Sequence, residues 1–412
     1  MRELIHPIAG SLRAEWPDEV LSPESLDDRG AWPVPFQQFI FKLHSRCNLA
    51  CDYCYVYGMA DQTWRARPRK MARGTVSQAA HQIARHALAH GLRDVRIILH
   101  GGEPLLAGAD LIAYTATELR QAVPVGTAVE LSVQTNGVLL DEDFLRLFLR
   151  HDVRVGVSLD GDRSAHDRRR RYADGRGSHA DVRRALDRLT QPAYRRLFAG
   201  LLCTISLNHD PVDSYEALLE FRPPAVNLLL PHGNWSAPPP GRTETASTPY
   251  ADWLIRVFDR WYGAARQETD IRLFQSIIDL LLGGESGSEQ IGLTPSTLVT
   301  IETDGSIEQV DTLKAAYDGA PSTGLNVYDN PFDNVLRHPS IIARQIGIAA
   351  LSDTCRRCRV RDVCGGGYYP HRYRAGSGFL NPSVYCRDLR KLIEHIHSRL
   401  SADMNALAGL LR

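Results

Sequence analysis

The sequence predicts an α/β fold whose core is a partial (β/α)6 TIM-type barrel. Strand-like and helix-like segments alternate six times between Phe36 and Leu230, and such alternation implies a parallel sheet. The polar and cysteine-bearing motifs follow the predicted strands, and the sites of such barrels lie at the carboxyl ends of strands. A doubly wound open sheet is the alternative. It would be expected to carry a Gly-rich phosphate turn after its first strand, where this chain has cysteines.

Apolar periodicity locates the individual elements. The predicted strands are FQQFIFKL, DVRIILH, VELSVQT, VRVGVSL, FAGLLCTISL and AVNLLLP. Between them, the predicted helices include residues 108–122, DEDFLRLFLRH, SHADVRRALDRL and DSYEALLEF. Thr75 and Gln78 form a T-x-x-Q pattern that predicts a capping box for the first helix, and Asp141 is the predicted cap of DEDFLRLFLRH.

The composition is ordinary for a globular protein. Of the 412 residues, 43% are hydrophobic and 23% charged, and the formal net charge is zero. This balance indicates neither a nucleic-acid partner nor a membrane surface. The N-terminus lacks the layout of a signal peptide, and no segment approaches the ~20 apolar residues of a membrane span. We therefore expect a cytoplasmic location, where thiols stay reduced and act as metal ligands rather than in disulfides.

The most informative motif follows the first predicted strand. Cys47, Cys51 and Cys54 have C-x3-C-x2-C spacing. A [4Fe–4S] cluster normally takes four thiolates, so three ligands on one loop leave one iron open for chemistry. The alternative is a zinc knuckle with His44 as the fourth ligand, although structural zinc usually takes four closely paired ligands.

Further polar motifs follow the next predicted strands. His100-Gly-Gly-Glu-Pro contains Gly101 and Gly102, which permit a close backbone approach to a ligand, and Glu103, which can accept a hydrogen bond from an ammonium group. VQTNG and SLDG offer additional polar groups: Gln134, Asn136, Ser158 and Asp160. The alternative for these residues is a simple turn or a helix cap.

A second cysteine set lies in the C-terminal region. It comprises Cys355, Cys358, Cys364 and Cys386. Four thiolates can complete a [4Fe–4S] site without an open iron, or close a structural zinc site. Because the first set already indicates cluster chemistry, an auxiliary [4Fe–4S] cluster is the favoured interpretation. The remaining cysteine, Cys203, stands alone in an apolar run and is predicted to be a buried small hydrophobe.

Together, these motifs resemble the radical S-adenosylmethionine (SAM) enzymes with a SPASM-type C-terminal domain, over roughly residues 36–390. More narrowly, QTNGVLL, TDGSIEQVD and CGGGYYPHRYRAGSGFLNPSVYC resemble the cyclophane-forming peptide maturases of the F-x-S class. The resemblance implies that Tyr53, the GGEP glycines, Glu103 and the polar groups of VQTNG and SLDG contact SAM. It also implies that Arg170, or Arg171 in its place, pairs with the SAM carboxylate.

The chain departs from the full SPASM pattern, which has seven cysteines and two auxiliary clusters. Val310 and Tyr368 stand where two cysteines are expected, so the resemblance implies one auxiliary cluster. Asp311 lies beside the first of these positions, where sulfatase maturases keep a proton-accepting aspartate. Asp311 is therefore the candidate base, and the alternative is a carboxylate at a turn or strand end.

The sequence predicts four regions. Residues 1–35 form an N-terminal arm, 36–230 the radical SAM partial barrel, 231–290 a helical bridge, and 291–412 a loop-rich SPASM-like iron–sulfur domain with a C-terminal helix. The resemblance implies that a leader peptide binds to the barrel, the bridge or the C-terminal region, because the first 35 residues are too few for a separate leader-binding domain.

The predicted reaction is the crosslinking of an aromatic ring to the β-carbon of a residue two positions later in a ribosomally made precursor peptide. The expected cofactors are SAM, the [4Fe–4S] cluster with an open iron and one auxiliary [4Fe–4S] cluster, with a flavodoxin- or ferredoxin-type reductant. One alternative is a sulfatase-maturase-like enzyme that generates formylglycine from Ser or Cys. The other is a non-catalytic iron–sulfur or zinc scaffold that binds a peptide.

Overall fold

One sheet organises the chain. The computed structural model describes residues 33–242 and 247–410, so nearly all of the predicted N-terminal arm lies outside the described residues. The described strands are β1 (Gln38–His44), β2 (Asp94–Gly101), β3 (Ala128–Thr135), β4 (Val153–Ser158), β5 (Phe198–Thr204), β6 (Ala225–Leu229), β7 (Asp270–Ile271), β8 (Leu298–Ile301), β9 (Ser306–Glu308) and β10 (Ser322–Asn326).

The order of the strands distinguishes the two predicted folds. Across the sheet it is β10-β9-β8-β1-β2-β3-β4-β5-β6-β7, and every neighbouring pair from β1 to β7 is parallel. A doubly wound sheet reverses its strand order at a switch point, whereas here six consecutive strands follow one another without reversal. The predicted α/β fold with a parallel sheet is therefore confirmed.

The helices connect and flank these strands. The described α-helices are α1 (Arg73–Ala89), α2 (Ala109–Ala122), α3 (Glu142–Arg150), α4 (Arg163–Arg169), α5 (His179–Leu189), α6 (Pro211–Leu219), α7 (Pro249–Tyr262), α8 (Arg272–Leu281), α9 (Phe332–Leu336), α10 (Pro339–Ile342), α11 (Asp353–Arg356), α12 (Arg361–Cys364) and α13 (Cys386–Leu410). None of the described helices is both long and apolar enough to cross a bilayer.

The two predicted helix caps have different outcomes. The side chain of Asp141 accepts a hydrogen bond from the backbone of Phe144 at 3.0 Å, so this cap is confirmed. The capping box of α1 was wrong, because the helix begins at Arg73 and has no side-chain cap. Thr75 and Gln78 are instead used in tertiary contacts with the segment that follows β10. Thr75 bonds to the hydroxyl of Tyr328 at 2.9 Å.

The C-terminal strands continue the sheet of the barrel. β8 pairs with β1 in parallel, and β9 and β10 add to it in antiparallel fashion. One apolar core accordingly contains residues from the barrel strands, from the apolar face of α7 and from α13. Because parallel strands share the direction of their carboxyl ends, the loops after β1 to β6 meet at one edge of this sheet.

Candidate active site

The first cysteine set lies on the loop after β1, at the carboxyl edge of the sheet. Cys47, Cys51 and Cys54 are half-buried and line one cavity of about 410 Å³. The backbone N–H of Leu49 donates to Sγ of Cys47 at 3.4 Å, and that of Gly58 donates to the carbonyl of Cys54 at 2.8 Å. A hydrogen bond donated to sulfur favours the thiolate, which is the form that binds metal. The fold thus brings the three predicted ligands to one wall of the cavity.

Gly101 and Gly102, at the end of β2, lie so close to neighbouring parts of the protein that a side chain at either position would clash. A Cβ at Gly101 would lie 2.3 Å from the carbonyl oxygen of His44, and one at Gly102 would lie 1.8 Å from the hydroxyl oxygen of Tyr57 and 2.5 Å from the backbone of Arg46. Both glycines also line the cavity. The sequence attributed them to the approach of a ligand, but the closest approach in the structure is made by the cysteine loop.

Glu103 has its partners within the protein. Its side chain is fully buried, and its carboxylate accepts hydrogen bonds from the backbone of Leu105 at 3.0 Å, the hydroxyl of Thr135 at 2.7 Å and the backbone of Asn136 at 2.8 Å. It caps the 3-10 helix Pro104–Ala107 and does not belong to the cavity wall. Glu103 therefore braces β2 against β3, and its predicted contact with an ammonium group stays a prediction.

Polar side chains at the carboxyl ends of β3 and β4 line the cavity. Gln134, Asn136 and Ser158 all line it. The side-chain amide of Asn136 donates to the side chain of Asn48 at 2.8 Å and lies 3.6 Å from Sγ of Cys47, while Gln134 donates to the hydroxyl of Ser158 at 3.2 Å. Asn136 therefore ties β3 to the cysteine loop.

Arg170 lies on the cavity wall and has one buried N–H without a partner among the described residues. It is 8% exposed and lines the wall. Nη1 donates to the hydroxyl of Tyr53 at 2.6 Å, and this hydroxyl donates to Asp160, whose other oxygen accepts from the backbone of Thr204 at 2.9 Å. Nε has no partner among the described residues. Because a buried N–H without a partner is costly, the site fits an anionic group such as the carboxylate of SAM.

Asp311 lies on the wall of the same cavity, at the start of the 3-10 helix Asp311–Ala315. Its Oδ2 accepts hydrogen bonds from Nζ of Lys42 and from the hydroxyl of Tyr55, the latter at 2.8 Å. Among the described residues, none donates to Oδ1. Burial alone would raise the pKa of Asp311, but Lys42 and His100 outweigh it and hold the pKa well below its ordinary value. The carboxylate is therefore ionised.

The second cysteine set lies away from this cavity. Its members sit on or between the short helices near the C-terminus: Cys355 in α11, Cys358 after it, Cys364 at the end of α12 and Cys386 at the start of α13. None of these four described residues lines the cavity. Gly365 has a left-handed φ of 59°, and a Cβ there would lie 1.7 Å from the carbonyl oxygen of Gly292, so only glycine permits the turn that follows Cys364.

The spacing of the cysteine sulfurs argues against zinc in either set. Four thiolates on one zinc ion, each at about 2.3 Å, would lie only ~3.8 Å from one another. Among the described residues, the only group of three or more His, Cys, Asp or Glu with ligand atoms all within 4.8 Å of one another is His86, His90 and Asp333. No three cysteine sulfurs of the described residues lie that close together. The histidine group is held by hydrogen bonds, since Nε2 of His86 accepts from the backbone of Phe36 at 3.0 Å.

Comparison with known proteins identifies the barrel. Residues 41–218 match the model of the radical SAM superfamily. This segment contains the three-cysteine loop and the motifs after β2, β3 and β4. The chain therefore contains a radical SAM domain, and the predicted SAM and iron–sulfur cofactors are confirmed at the level of this superfamily.

Two curated relatives have names that specify a reaction. The cysteine-type anaerobic sulfatase-maturating enzyme of Clostridium perfringens (strain 13 / Type A) is 23% identical over 379 residues, which cover 89% of this chain and 97% of that protein. The serine-type anaerobic sulfatase-maturating enzyme of Klebsiella aerogenes is 34% identical over 161 residues. That alignment covers 39% of this chain and 38% of that protein.

Solved structures share the fold. Native anSMEcpe with bound AdoMet and Cp18Cys peptide superposes with a TM-score of 0.75 at 21% identity, covering 90% of this chain and 99% of that chain. Streptococcus suis SuiB bound to precursor peptide SuiA superposes with a TM-score of 0.56 at 13% identity, covering 88% of this chain and 78% of that one. At these identities the likeness concerns the fold.

The comparisons contradict the predicted crosslinking reaction. A relative that aligns with 89% of this chain is a sulfatase-maturating enzyme, and this agrees with the alternative rather than with a three-residue cyclophane. The motifs that suggested a cyclophane have structural roles. Asn136 of QTNGVLL ties β3 to the cysteine loop, and Glu308 of TDGSIEQVD is paired with Lys314 at 3.2 Å. Such residues indicate the scaffold they build and do not specify the substrate.

Sequence reasoning missed several residues of the site: four that line the cavity (Tyr55, His232, Thr312 and His371) and Lys42, which pairs with Asp311. Two of them could have been recognised from the sequence. Lys42 is a charged residue inside the apolar strand FIFKL, and a buried lysine needs a counter-charge. His232 comes directly after β6, at the strand end where barrel sites lie. His371 left no signal, because only the folded chain brings it near His232.

Proposed function

We propose that this protein is a radical SAM enzyme that oxidises a cysteine or serine side chain of a bound peptide to formylglycine. The observation that carries the proposal is that one cavity joins the three predicted cluster ligands to the ionised carboxylate of Asp311. The reaction type comes from the sulfatase-maturating relatives, one of which aligns with 89% of this chain. The coexistence of both features in one enclosed space suits an oxidation that removes a hydrogen atom and a proton from neighbouring atoms.

The barrel side of the cavity suits the cofactors. Cys47, Cys51 and Cys54 would hold a [4Fe–4S] cluster, and the unpartnered Nε of Arg170 would bind the SAM carboxylate. Gln134 and Ser158 would lie against the remaining polar groups of SAM. When bound, these cofactors would supply a radical able to remove a hydrogen atom from the substrate β-carbon, and the second cysteine set would hold an auxiliary cluster able to take up the remaining electron.

Asp311 would accept the proton of the substrate thiol or hydroxyl. Lys42 and Tyr55 occupy Oδ2 and leave Oδ1 for the substrate, and a candidate base is judged first by such geometry. Removal of one hydrogen atom, one proton and one electron converts a serine directly to the aldehyde. A cysteine becomes a thioaldehyde, which water hydrolyses to the same aldehyde with release of hydrogen sulfide.

Three further parts of the assignment belong to this proposal. The electron donor is of the flavodoxin or ferredoxin type, and the protein works in the cytoplasm. Residues 231–290 act as a bridge between the barrel and the region 291–412, which carries the auxiliary cluster. Support for the last point comes from β8, which pairs with β1 and thereby joins that region to the barrel sheet.

The test uses anaerobically reconstituted protein with SAM, dithionite and the Cp18Cys peptide or its serine counterpart. We expect 5′-deoxyadenosine together with a peptide aldehyde that reacts with a hydrazine reagent. Aldehyde trapping is necessary, because a serine-derived aldehyde and a crosslink have the same mass change. A peptide with alanine at the reacting position is the matched control and should yield no aldehyde.

Two results would contradict the proposal. One is the absence of aldehyde from both peptides although the protein contains its iron and cleaves SAM. The other is a product that has lost two hydrogens, does not react with hydrazine and resists separation by proteolysis, since such a product is crosslinked.

A further inference from the structure

Two histidines on the cavity wall have ring nitrogens without partners. His232 and His371 both line the cavity. Nδ1 of His232 and Nε2 of His371 are buried, and neither has a hydrogen-bond partner among the described residues. Most buried polar side-chain atoms in proteins are hydrogen-bonded, and leaving one unpaired is unfavourable. A partner supplied from the cavity would remove this cost.

The surroundings place these nitrogens beside the candidate base. The ring of His232 lies 4.8 Å from the ring of Tyr55 in an edge-to-face contact, and the hydroxyl of Tyr55 donates to Asp311. The rings of His232 and His371 are 5.8 Å apart. A molecule that contacts both histidines therefore lies next to the position where the reacting side chain would meet Asp311.

The two rings are fixed by the backbone that carries them. His232 follows β6, and the carbonyl of the preceding Pro231 accepts a hydrogen bond from the hydroxyl of Tyr385 at 2.6 Å. His371 lies in the 3-10 helix Tyr369–Arg372, and its carbonyl accepts from the backbone of Val384 at 2.9 Å. Such fixed groups bind a partner without a large ordering cost.

The chemistry of the wall selects an uncharged partner. Burial lowers the pKa of His232 to about 4 and lowers that of His371 well below its ordinary value. A neutral imidazole offers one donor and one acceptor. A charged group placed against it in a buried site would lose its hydration without gaining a counter-charge. An amide offers the matching donor and acceptor without charge.

We infer that His232 and His371 bind main-chain amides of the substrate peptide on either side of the residue that is oxidised. This inference rests on the proposed function and adds to it the residues that position the peptide. The contacts would be sequence-independent, because every peptide residue except proline presents the same N–H and C=O groups.

The unpartnered atom is Nδ1 in His232 but Nε2 in His371, and this difference can be tested by substitution. The side-chain amide of asparagine places a polar atom near the position of Nδ1, whereas that of glutamine reaches the position of Nε2. His232→Asn should therefore keep the peptide KM close to that of the wild type, while His232→Gln should raise it. The opposite pattern is expected at the other position, where His371→Gln retains binding and His371→Asn does not.

The expected increase in peptide KM is roughly 3- to 30-fold for each non-matching variant, since one uncharged hydrogen bond is lost. Peptide KM and kcat are measured with the Cp18Cys peptide, and iron content and thermal unfolding check the fold. His397→Gln, at an exposed position of α13, is the matched control. If all four variants bind like the wild type, or if the same replacement restores binding at both positions, the inference is wrong.

A second measurement does not depend on the stability of the variants. N-methylation of single backbone amides in the Cp18Cys peptide should weaken binding to the wild type at positions next to the cysteine. The same peptides should lose less affinity with His232→Phe. If no methylated position weakens binding to the wild type, the histidines do not bind main-chain amides. If the unmodified peptide is neither bound nor oxidised by the wild type, the proposed function itself fails.

Discussion

The two cysteine sets differ in what can reach them. Cys47, Cys51 and Cys54 line the cavity beside the unpaired Nε of Arg170. The four cysteines of the second set lie among short helices, and none belongs to the described wall of the cavity. A molecule in the cavity can therefore contact a group bound at the first set but not a group bound at the second set. The set with three cysteines thus lines the cavity, and the set with four cysteines does not.

The largest expected effect tests the role of the first set. Cys51→Ala leaves two ligands on the loop, so the cluster should be lost and 5′-deoxyadenosine formation should fall to the background of the assay. Cys203→Ala is the matched control. Cys203 is buried in β5, and its replacement should cost only about 1 kcal/mol of stability with SAM cleavage retained. Undiminished cleavage by Cys51→Ala would refute the assignment of this loop.

The second set should separate SAM cleavage from peptide oxidation. Cys386→Ala should lower the iron content and abolish aldehyde formation, because the last electron has no acceptor. SAM cleavage should persist, since the barrel site is intact. The measurement compares 5′-deoxyadenosine with hydrazine-reactive peptide in the same reaction. Equal yields of both products from Cys386→Ala would show that the second set has no part in the oxidation.

Asp311 provides the next largest effect. Asp311→Asn removes the proton acceptor and should lower kcat for aldehyde formation by about 10²–10⁴-fold. The change also leaves the buried Lys42 without its counter-charge. The double variant Lys42→Met/Asp311→Asn is therefore used to show whether lost stability explains the result. If either variant oxidises the peptide at the rate of the wild type, Asp311 is not the base.

A smaller effect is expected from Arg170→Gln, which removes the guanidinium whose Nε is unpaired beside the first cysteine set. The KM for SAM should rise roughly 10- to 100-fold, because a hydrogen bond to a charged group is lost. Arg171→Gln is the control, since the Arg171 side chain is exposed and its Nε donates to the carbonyl of Asp167. A larger effect at Arg171 than at Arg170 would reverse the assignment.

The smallest effect concerns pH and the C-terminal region. Burial raises the pKa of Glu308 to about 7, with Glu302 adding to the rise and Lys314 opposing it. The folded state then holds a proton that the unfolded state has released, so this group makes stability fall as pH rises between its unfolded value of 4.5 and about 7.

In Glu308→Gln this contribution to the pH dependence should disappear. Between pH 5 and pH 7.5, the apparent melting temperature of the wild type should fall by roughly 1–3 °C more than that of the variant. Glu130→Gln, at an exposed position of β3, serves as the control. Identical pH profiles for the wild type and Glu308→Gln would show that Glu308 does not carry this dependence.

The parts of the site that follow from the sequence are those fixed by local chain geometry. The cysteine spacing, the order of the strands and the position of motifs at strand ends are properties of short segments, and the structure reproduces the predicted parallel order. Arg170 was named from a resemblance, and its unpaired Nε now supplies a physical reason for the choice.

The remaining features depend on contacts between distant segments. The capping box at Thr75 was wrong because the helix begins two residues earlier, at Arg73, and the Thr75 hydroxyl bonds to Tyr328 instead. Glu103 looks like a free acceptor in the sequence, but folding surrounds it with donors from β3 and its own turn. His232 and His371 come close together only because the C-terminal region folds against the barrel. No local sequence pattern predicts this contact.

The pairing of β1 with β8 has a consequence for the order of assembly. β1 has β2 on one side, and its other neighbour is a strand at residues 298–301. The counter-charge of Lys42 is also supplied late, 269 residues further along the chain. During synthesis the barrel therefore emerges with an open strand edge and an unpaired lysine in its first strand. Both are closed only when the C-terminal third folds against the barrel, so Asp311 reaches the cavity together with β8, the strand that covers the open edge of β1.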